Sequence, residues 1–180
     1  MRPLKLLGPV VLTVACSSPA ATSAATPKPP VAAPSAAPAK QASAPKAATA
    51  WLKGIDVSHY QPKVDWERVK TSASFVFVKA TDSTGGVDAR FTSHWSGAKK
   101  VGLPRGAYHF FHPKYDVDQQ VANFTQHLKS DPGELHPVVD VEEFKTEYQA
   151  FTCEQLAQML QRFSQGVEKE LGRKPMIYTN

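Results

Sequence analysis

His136-Pro-Val-Val-Asp-Val-Glu-Glu-Phe144 combines a short apolar run with two carboxylates, Asp140 and Glu142, that are two residues apart. If the run is a β-strand, alternate side chains share a face, so both carboxylates point the same way. Acids crowded at the end of a strand repel each other and raise each other's pKa, which keeps a proton available near neutral pH. The pair therefore predicts a general-acid site, and the alternative is a solvated acidic loop.

Strand and helix patterns alternate around this stretch. Short apolar runs predict five strands: Lys53–Ser58, Phe75–Ala80, Arg105–Phe111, His136–Glu142 and Pro175–Asn180. This alternation predicts an α/β fold with a parallel sheet and right-handed crossovers. An open doubly wound sheet and a (β/α) barrel both fit the pattern. No Gly-x-Gly-x-x-Gly or phosphate loop follows the first strand, which disfavours a nucleotide-binding fold.

Helix signals fill the segments between the predicted strands. Asp65 is a plausible N-cap, and Thr152 with Gln155 forms a capping-box pattern. Gly102 and Gly172 are typical helix stops. The sequence predicts helices over 65–70, 91–101, 116–129 and 152–171, and a glycine-rich loop over 82–88.

Polar side chains gather at the carboxyl ends of the predicted strands, where a barrel carries its site. Lys79 is either a substrate contact or an ion-pair partner of a strand-end acid, and the sequence leaves both open. Acids, a lysine and aromatic residues on one rim predict a site for a carbohydrate or charged substrate. The residues at these ends are Asp56, Ser58, Lys79, Tyr108, His109, Asp140, Glu142 and Tyr178.

The charge distribution argues against a nucleic-acid partner. The 180-residue chain has a formal net charge of +5 and a pI of about 9.2. Residues 1–50 contain five basic residues and no acid, so the remainder carries 16 basic and 16 acidic residues. The excess of positive charge therefore belongs to the N-terminal segment, and the folded part has no net positive charge that would favour binding to nucleic acid.

The N-terminal 50 residues predict export. A basic start and an apolar stretch over 6–15 are typical of a signal peptide, and the run is too short to span a bilayer. Residues 1–16 end in Leu12-Thr-Val-Ala-Cys16, which resembles a bacterial lipobox with Cys16 as the lipidated residue. An ordinary signal peptide is the alternative. Residues 17–50, rich in Ala and Pro, predict a disordered tether, followed by a folded domain over 51–180.

Cysteine usage excludes a disulfide scaffold. Cys16 and Cys153 are the only cysteines in the chain, and one lies in the leader while the other lies in the domain. We therefore expect Cys153 to be an inert thiol. His109 and His112 lie three apart and make a poor metal pair. We expect no metal and no cofactor.

Five segments in order resemble glycoside hydrolase family 25, the muramidase-type lysozymes. The resemblance runs from about Gly54 to the end of the chain. The matching segments are Gly54-Ile-Asp-Val-Ser58 with Gln61 and Asp65-Trp66, then Lys79-Ala-Thr81, Gly106-Ala-Tyr-His-Phe110, Pro137-Val-Val-Asp-Val-Glu142 and Ile177-Tyr-Thr179.

The resemblance implies hydrolysis of the β-1,4 bond after N-acetylmuramic acid in peptidoglycan, by a protein with an irregular (β/α) barrel. It implies that Glu142 is the general acid, with Asp140 and Asp56 in support. It also implies that Tyr108 lines the subsite for the N-acetyl group. Lys79, Asp82 and Tyr178 are further candidate substrate contacts. We expect a monomer that acts on glycan strands in the bacterial cell envelope, at the outer membrane or in the periplasm, and that contacts the membrane only through Cys16.

The sequence departs from the family pattern in two respects. Asp82 follows Lys-Ala-Thr where the family usually has a glutamate. The family also continues past the Ile-Tyr-Thr strand with further strands, a tryptophan and another cleft aspartate. We therefore expect a barrel that is incomplete at its C-terminal side, in either a fragment or a truncated product, with an open sheet edge.

Two other functions compete with the lysozyme prediction. A chitinase-like hydrolase also ends a strand in Asp-x-Glu, but the longer acidic run of those proteins is absent before Asp140. A tethered lipoprotein that binds peptidoglycan without cleaving it is the second alternative. Binding to sacculi without release of reducing ends would distinguish it from a hydrolase.

Overall fold

The computed structural model describes residues 3–4, 51–142 and 147–179. The predicted signal peptide, the lipidation site Cys16 and the predicted tether lie outside the described residues, apart from Pro3 and Leu4. The strands are β1 (Pro3–Leu4), β2 (Gly54–Val57), β3 (Phe75–Asp82), β4 (Gly86–Val87), β5 (Arg105–Phe110), β6 (Val138–Val141) and β7 (Met176–Thr179). The helices are α1 (Trp66–Lys70), α2 (Phe91–Lys100), α3 (Val117–Gln126) and α4 (Cys153–Leu171), with a 3₁₀ turn at Tyr148–Ala150.

The strands form one sheet that follows chain order. Strands β2, β3, β5, β6 and β7 pair in parallel and in sequence, while the short β1 pairs with β2 in the antiparallel sense. A doubly wound sheet reverses its strand order at a switch point, and this one does not. The sheet is a curled half-barrel, which confirms the predicted incomplete (β/α) barrel and excludes the open alternative.

One face of the sheet is covered by helices. Val57, Val76, Val78, Ala107 and Val139 point from successive strands into a core that they share with the helices. Phe124 of α3 and Phe163 of α4 are completely enclosed in this core. This face is mostly apolar, and because strand side chains alternate between the two faces, its apolar residues fall at every second strand position.

The opposite face, here called the inner face, changes character along the strands. Near the strand starts it carries Phe75, Phe77 and Val138, which pack against each other. A Cβ at Gly106 would lie 2.3 Å from the Phe77 ring, so glycine makes room for that ring. Towards the strand ends the inner face becomes polar.

The predicted helix signals are confirmed. Asp65 accepts a hydrogen bond from the backbone of Arg68 at 3.1 Å, and Thr152 and Gln155 form both bonds of the capping box. Gly172 ends α4 in the left-handed conformation. The predicted loop over 82–88 is partly a hairpin, because β4 pairs with the end of β3. Within the described residues no helix is long and apolar enough to cross a membrane.

Candidate active site

Four polar or aromatic residues form one row across the carboxyl end of the inner face. Asp82 pairs in register with Phe110, Phe110 with Asp140, and Asp140 with Tyr178. Neighbouring strands lie about 4.8 Å apart, so the row brings Asp140 next to Tyr178 and within two strands of Asp82. Three residues from the predicted site therefore share one line of the sheet.

A β-bulge determines where Lys79 and Asp82 point. The register of β3 against β5 shifts between Lys79 and Thr81, so Ala80 and Thr81 both face the helices. Residues three apart on a regular strand face opposite sides, whereas the bulge returns Asp82 to the side of Lys79. The Lys79 ammonium donates to Asp82 Oδ2 at 2.6 Å. The ion-pair alternative for Lys79 is therefore realised, and a substrate contact by Lys79 stays a prediction.

Asp140 is the most deeply buried carboxylate of the row. Only 9% of its surface is exposed, and among the described residues no group hydrogen-bonds its Oδ1 atom. Burial, followed by the negative charge of Glu142, raises the pKa of Asp140 to about 7. Asp56 and Asp82 push this pKa in the same direction, and the positive charge of Lys79 opposes them. All four groups thus lie close enough to Asp140 to interact with it.

Glu142 lies directly after β6 and is half-buried. The predicted strand extended to this residue, but the observed β6 ends at Val141. Its charge acts on Asp140 and also on Tyr148, which lies in the 3₁₀ turn that follows. Glu142 is therefore more open to solvent than Asp140 and remains electrostatically coupled to it.

Tyr108 lies on β5, and its hydroxyl hydrogen-bonds the Ser58 side chain, which directly follows β2. Burial raises the pKa of its hydroxyl, and the charges of Asp56, Asp140 and Asp88 raise it further, while a hydrogen bond with the Ser58 side chain opposes them. The phenol therefore keeps its proton throughout the physiological pH range. Asp56, Asp140 and Tyr108 lie near one another, as the sequence predicted for residues at the strand ends.

Sequence reasoning missed Asp88 as part of this region. Its side chain is completely enclosed and accepts from the His59 backbone at 2.9 Å and from His59 Nδ1 at 2.7 Å. It also accepts from the Arg90 backbone at 2.9 Å. Asp88 thus anchors the end of β2 to the segment before α2. Its place after a glycine-rich turn was the available signal, but a contact across 29 residues is not visible in the sequence.

His112 contacts two carboxylates, which its spacing from His109 does not predict. Its Nε2 atom lies 2.9 Å from Asp82 Oδ1, and its Nδ1 atom lies 2.9 Å from Glu147 Oε2. Lys114 forms an ion pair with the other Glu147 oxygen. His109 faces the helices instead, between Thr81 and Gln120. Within the described ranges no group of three or more His, Cys, Asp or Glu side chains is arranged to hold a metal ion.

The fold and this site together define a half-barrel protein with an acidic cleft at the carboxyl ends of its parallel strands. The family model described as Glycosyl hydrolases family 25 matches residues 55–180, and the chain belongs to this family. The resemblance seen in the sequence motifs is thereby confirmed.

Individual relatives agree with this assignment. The chain is 34% identical over 138 residues to the protein YegX of Escherichia coli, covering 73% of this chain and 49% of YegX. It is 31% identical to an N,O-diacetylmuramidase of Arthroderma benhamiae, covering 72% of this chain and 57% of that enzyme. The chain therefore spans about half the length of these relatives.

The solved structures give the same picture. A bacterial lysozyme from Streptomyces coelicolor superposes with a TM-score of 0.64 at 30% sequence identity. The superposition covers 73% of this chain and 64% of that structure. The half-barrel of this chain thus corresponds to the major part of a family 25 barrel.

Proposed function

We propose that this protein hydrolyses the β-1,4 bond between N-acetylmuramic acid and N-acetylglucosamine in peptidoglycan. The observation that carries the proposal is the buried Asp140 beside Glu142 at the carboxyl edge of a family 25 half-barrel. Glycoside hydrolysis needs one carboxyl group that donates a proton and one negative group that stabilises an oxocarbenium-like transition state. An electrostatically coupled pair of acids meets both needs.

Glu142 is the proposed general acid. It is half-buried, so it is more accessible to a bound polymer than the enclosed Asp140. Proton donation to the glycosidic oxygen lets the bond break without releasing an unstable alkoxide. The negative charge of Glu142 raises the pKa of Asp140, so the two acids interact across the cleft edge.

Asp140 and Asp56 are the proposed supporting acids. In its ionised form Asp140 orients the acetamide of the muramic acid residue or stabilises positive charge at the anomeric carbon. Lys79 favours that ionised form, because its positive charge lowers the pKa of Asp140. Asp56 adds negative charge from the neighbouring part of the rim.

Tyr108, Lys79, Asp82 and Tyr178 are the proposed substrate contacts. The Tyr108 hydroxyl stays protonated, so it is a permanent donor for a sugar hydroxyl or an N-acetyl oxygen. Tyr178 is 38% exposed at the end of the same row as Asp140, where its ring offers a surface to a sugar. Lys79 and Asp82 form one edge of the cleft through their ion pair.

The proposed location is the bacterial cell envelope. Export through the predicted signal of residues 1–16 and anchoring at Cys16 would bring the domain, as a monomer on its 17–50 tether, to glycan strands. Metabolic labelling with a fatty acid tests whether Cys16 is lipidated. Label that is retained in the wild type and lost in Cys16→Ser supports the anchor, and equal label in both overturns it.

The identity of the cleaved bond tests the function. Purified protein is incubated with sacculi, the products are reduced with borohydride, and mass spectrometry identifies the sugar at each new end. Reduced N-acetylmuramic acid supports the proposal. Reduced N-acetylglucosamine indicates the other glycosidic bond, and protein that binds sacculi but releases no ends indicates the non-catalytic binding lipoprotein.

A further inference from the structure

His112 bridges two carboxylates that belong to separate parts of the chain. One ring nitrogen contacts Asp82 at the end of β3, and the other contacts Glu147, five residues after Glu142. Both distances are 2.9 Å, and the His112 side chain is only 18% exposed. The bridge therefore joins the strand that carries Lys79 to the segment that follows the proposed general acid.

The His112 ring is held in place by groups other than these carboxylates. The buried side chain of Gln120 accepts from the His112 backbone at 3.0 Å and donates to its carbonyl at 2.9 Å. The rings of Phe110 and Tyr115 lie 5.2 and 5.9 Å away, centroid to centroid. Helix α3 therefore fixes the His112 backbone through contacts that do not involve Glu147.

The chemistry of imidazole decides what this bridge requires. A neutral ring has one N–H and can donate to only one carboxylate, whereas an imidazolium donates to both. The two carboxylates are ionised at neutral pH. Burial alone would raise the pKa of Asp82, but its contacts with Lys79 and His112 lower it. The pKa of Glu147 is lowered by its contacts with Lys114 and His112. Asp82 and Glu147 contact the ring directly, and Lys79 and Lys114 form ion pairs with those two carboxylates.

A second contact ties the same segment to β5. The Tyr148 hydroxyl donates to the backbone carbonyl of Phe111 at 3.1 Å. Glu147 thus contacts His112 and Tyr148 contacts Phe111, and both of these partners directly follow β5. Five and six residues after Glu142, the chain is thus attached to the segment that follows β5.

We propose that His112 is a positioning residue, whose protonated ring bridges Asp82 and Glu147 and so fixes where the chain returns after Glu142. This inference rests on the proposed function of Glu142 as the general acid. Lys79 still pairs with Asp82 when the bridge is lost, so the loss lowers kcat through Glu142 while substrate binding changes little. A residue 1 Å out of position at the reacting centre can cost orders of magnitude in rate.

Kinetics of three variants test the positioning role. In His112→Gln and Glu147→Gln we expect kcat on soluble glycan fragments to fall about 5- to 20-fold at pH 6, with KM unchanged within about twofold. The double variant is expected to lose no more than either single variant, because both remove the same bridge. His136→Gln is the matched control, since the His136 side chain is exposed before the start of β6 and hydrogen-bonds the Lys174 carbonyl.

Histidine ¹⁵N NMR tests the bridge without relying on activity. In the wild type we expect both His112 ring nitrogens to carry protons at pH 6, because each lies 2.9 Å from a carboxylate oxygen, and we expect the chemical shift of Nδ1 to change in Glu147→Gln. A neutral single-tautomer signal at pH 6 overturns the bridge. A protonated bridge with unchanged kcat in His112→Gln overturns the positioning role, although the muramidase proposal stands. A wild type that cleaves no glycan overturns the proposed function, while the NMR result still reports on the bridge.

Discussion

Asp140 lies buried beside Glu142, and burial together with the charge of Glu142 raises the pKa of Asp140 to about 7. This relationship turns the end of β6 into a site where a proton is gained or lost near neutral pH. Such a carboxylate costs folding stability when it ionises, which is characteristic of groups retained for function.

Asp140→Asn should stabilise the protein at high pH. Between about pH 4 and pH 7 the unfolded chain loses the Asp140 proton while the folded protein keeps it, so rising pH destabilises the wild type. The cost is on the order of 2–4 kcal/mol above pH 7. We expect the difference in Tm between Asp140→Asn and wild type to grow by about 5 °C or more from pH 5 to pH 8, measured by calorimetry.

Asp65→Asn is the matched control for this experiment. Asp65 is exposed at the start of α1, and asparagine caps a helix as well as aspartate does. Its Tm difference from wild type should not change in the same way between pH 5 and pH 8. If Asp140→Asn shows no growing advantage with pH, the proposed titration of Asp140 is wrong.

Lys79→Met should move the titration of Asp140 to higher pH. The Lys79 charge lowers the pKa of Asp140. When that charge is removed, burial and the neighbouring acids raise this pKa further. The pKa of Asp82 should rise as well, because Lys79 holds it down. Carbon NMR of the labelled carboxyl groups measures both shifts. Lys100→Met, an exposed position at the end of α2, serves as control, and equal titration curves in all three proteins would contradict the geometry of the rim.

Much of this architecture could be predicted from the sequence. The strand runs, the N-caps and the glycine stops are local signals, and they specified the alternation that produces a parallel sheet. The convergence of Asp56, Tyr108 and Asp140 followed from strand ends meeting at one edge of that sheet. Residue patterns alone left both barrel and open sheet possible, because strand order depends on crossovers that no local pattern encodes, and the resemblance to family 25 decided for the barrel.

The contacts that shape the rim could not be predicted. The bulge in β3 adds one residue to a strand that reads as regular, and only its register with β5 reveals that Lys79 and Asp82 share a side. The contact between His112 and Glu147 spans 35 residues, and the one between His59 and Asp88 spans 29. Such pairs depend on the completed fold, so a single sequence gives no signal for them.

Tyr108→Phe should weaken substrate binding more than it slows the reaction. The change removes a hydroxyl that hydrogen-bonds Ser58 and leaves the ring volume in the cleft unchanged. Loss of one hydrogen bond to the substrate corresponds to an increase in KM of about 3- to 10-fold. Steady-state kinetics on glycan fragments check this, with Tyr115→Phe as the control. A fall in kcat with unchanged KM would assign Tyr108 to the chemical step instead.

Gly106→Ala should destabilise the fold. The new Cβ would lie 2.3 Å from the Phe77 ring and 3.1 Å from the His136 carbonyl, so the inner face must shift to accept it. Overpacking of this kind costs about 1–3 kcal/mol. Gly85→Ala is the matched control, because nothing lies within 4 Å of its added Cβ. Chemical denaturation should separate the two variants, and equal stability would mean that the Phe77 ring is less constrained than the structure indicates.

The general-acid role of Glu142 is tested most directly by counting the new muramic acid reducing ends released from sacculi by wild type, Glu142→Gln and the control Glu154→Gln. Glu154 is an exposed acid in the first turn of α4, so its replacement removes the same charge outside the row of Asp140. We expect Glu142→Gln to release at least about 100-fold fewer ends with an unchanged Tm, and Glu154→Gln to match the wild type. Release by Glu142→Gln at the wild-type rate would contradict the assignment of the acid and the mechanism built on it.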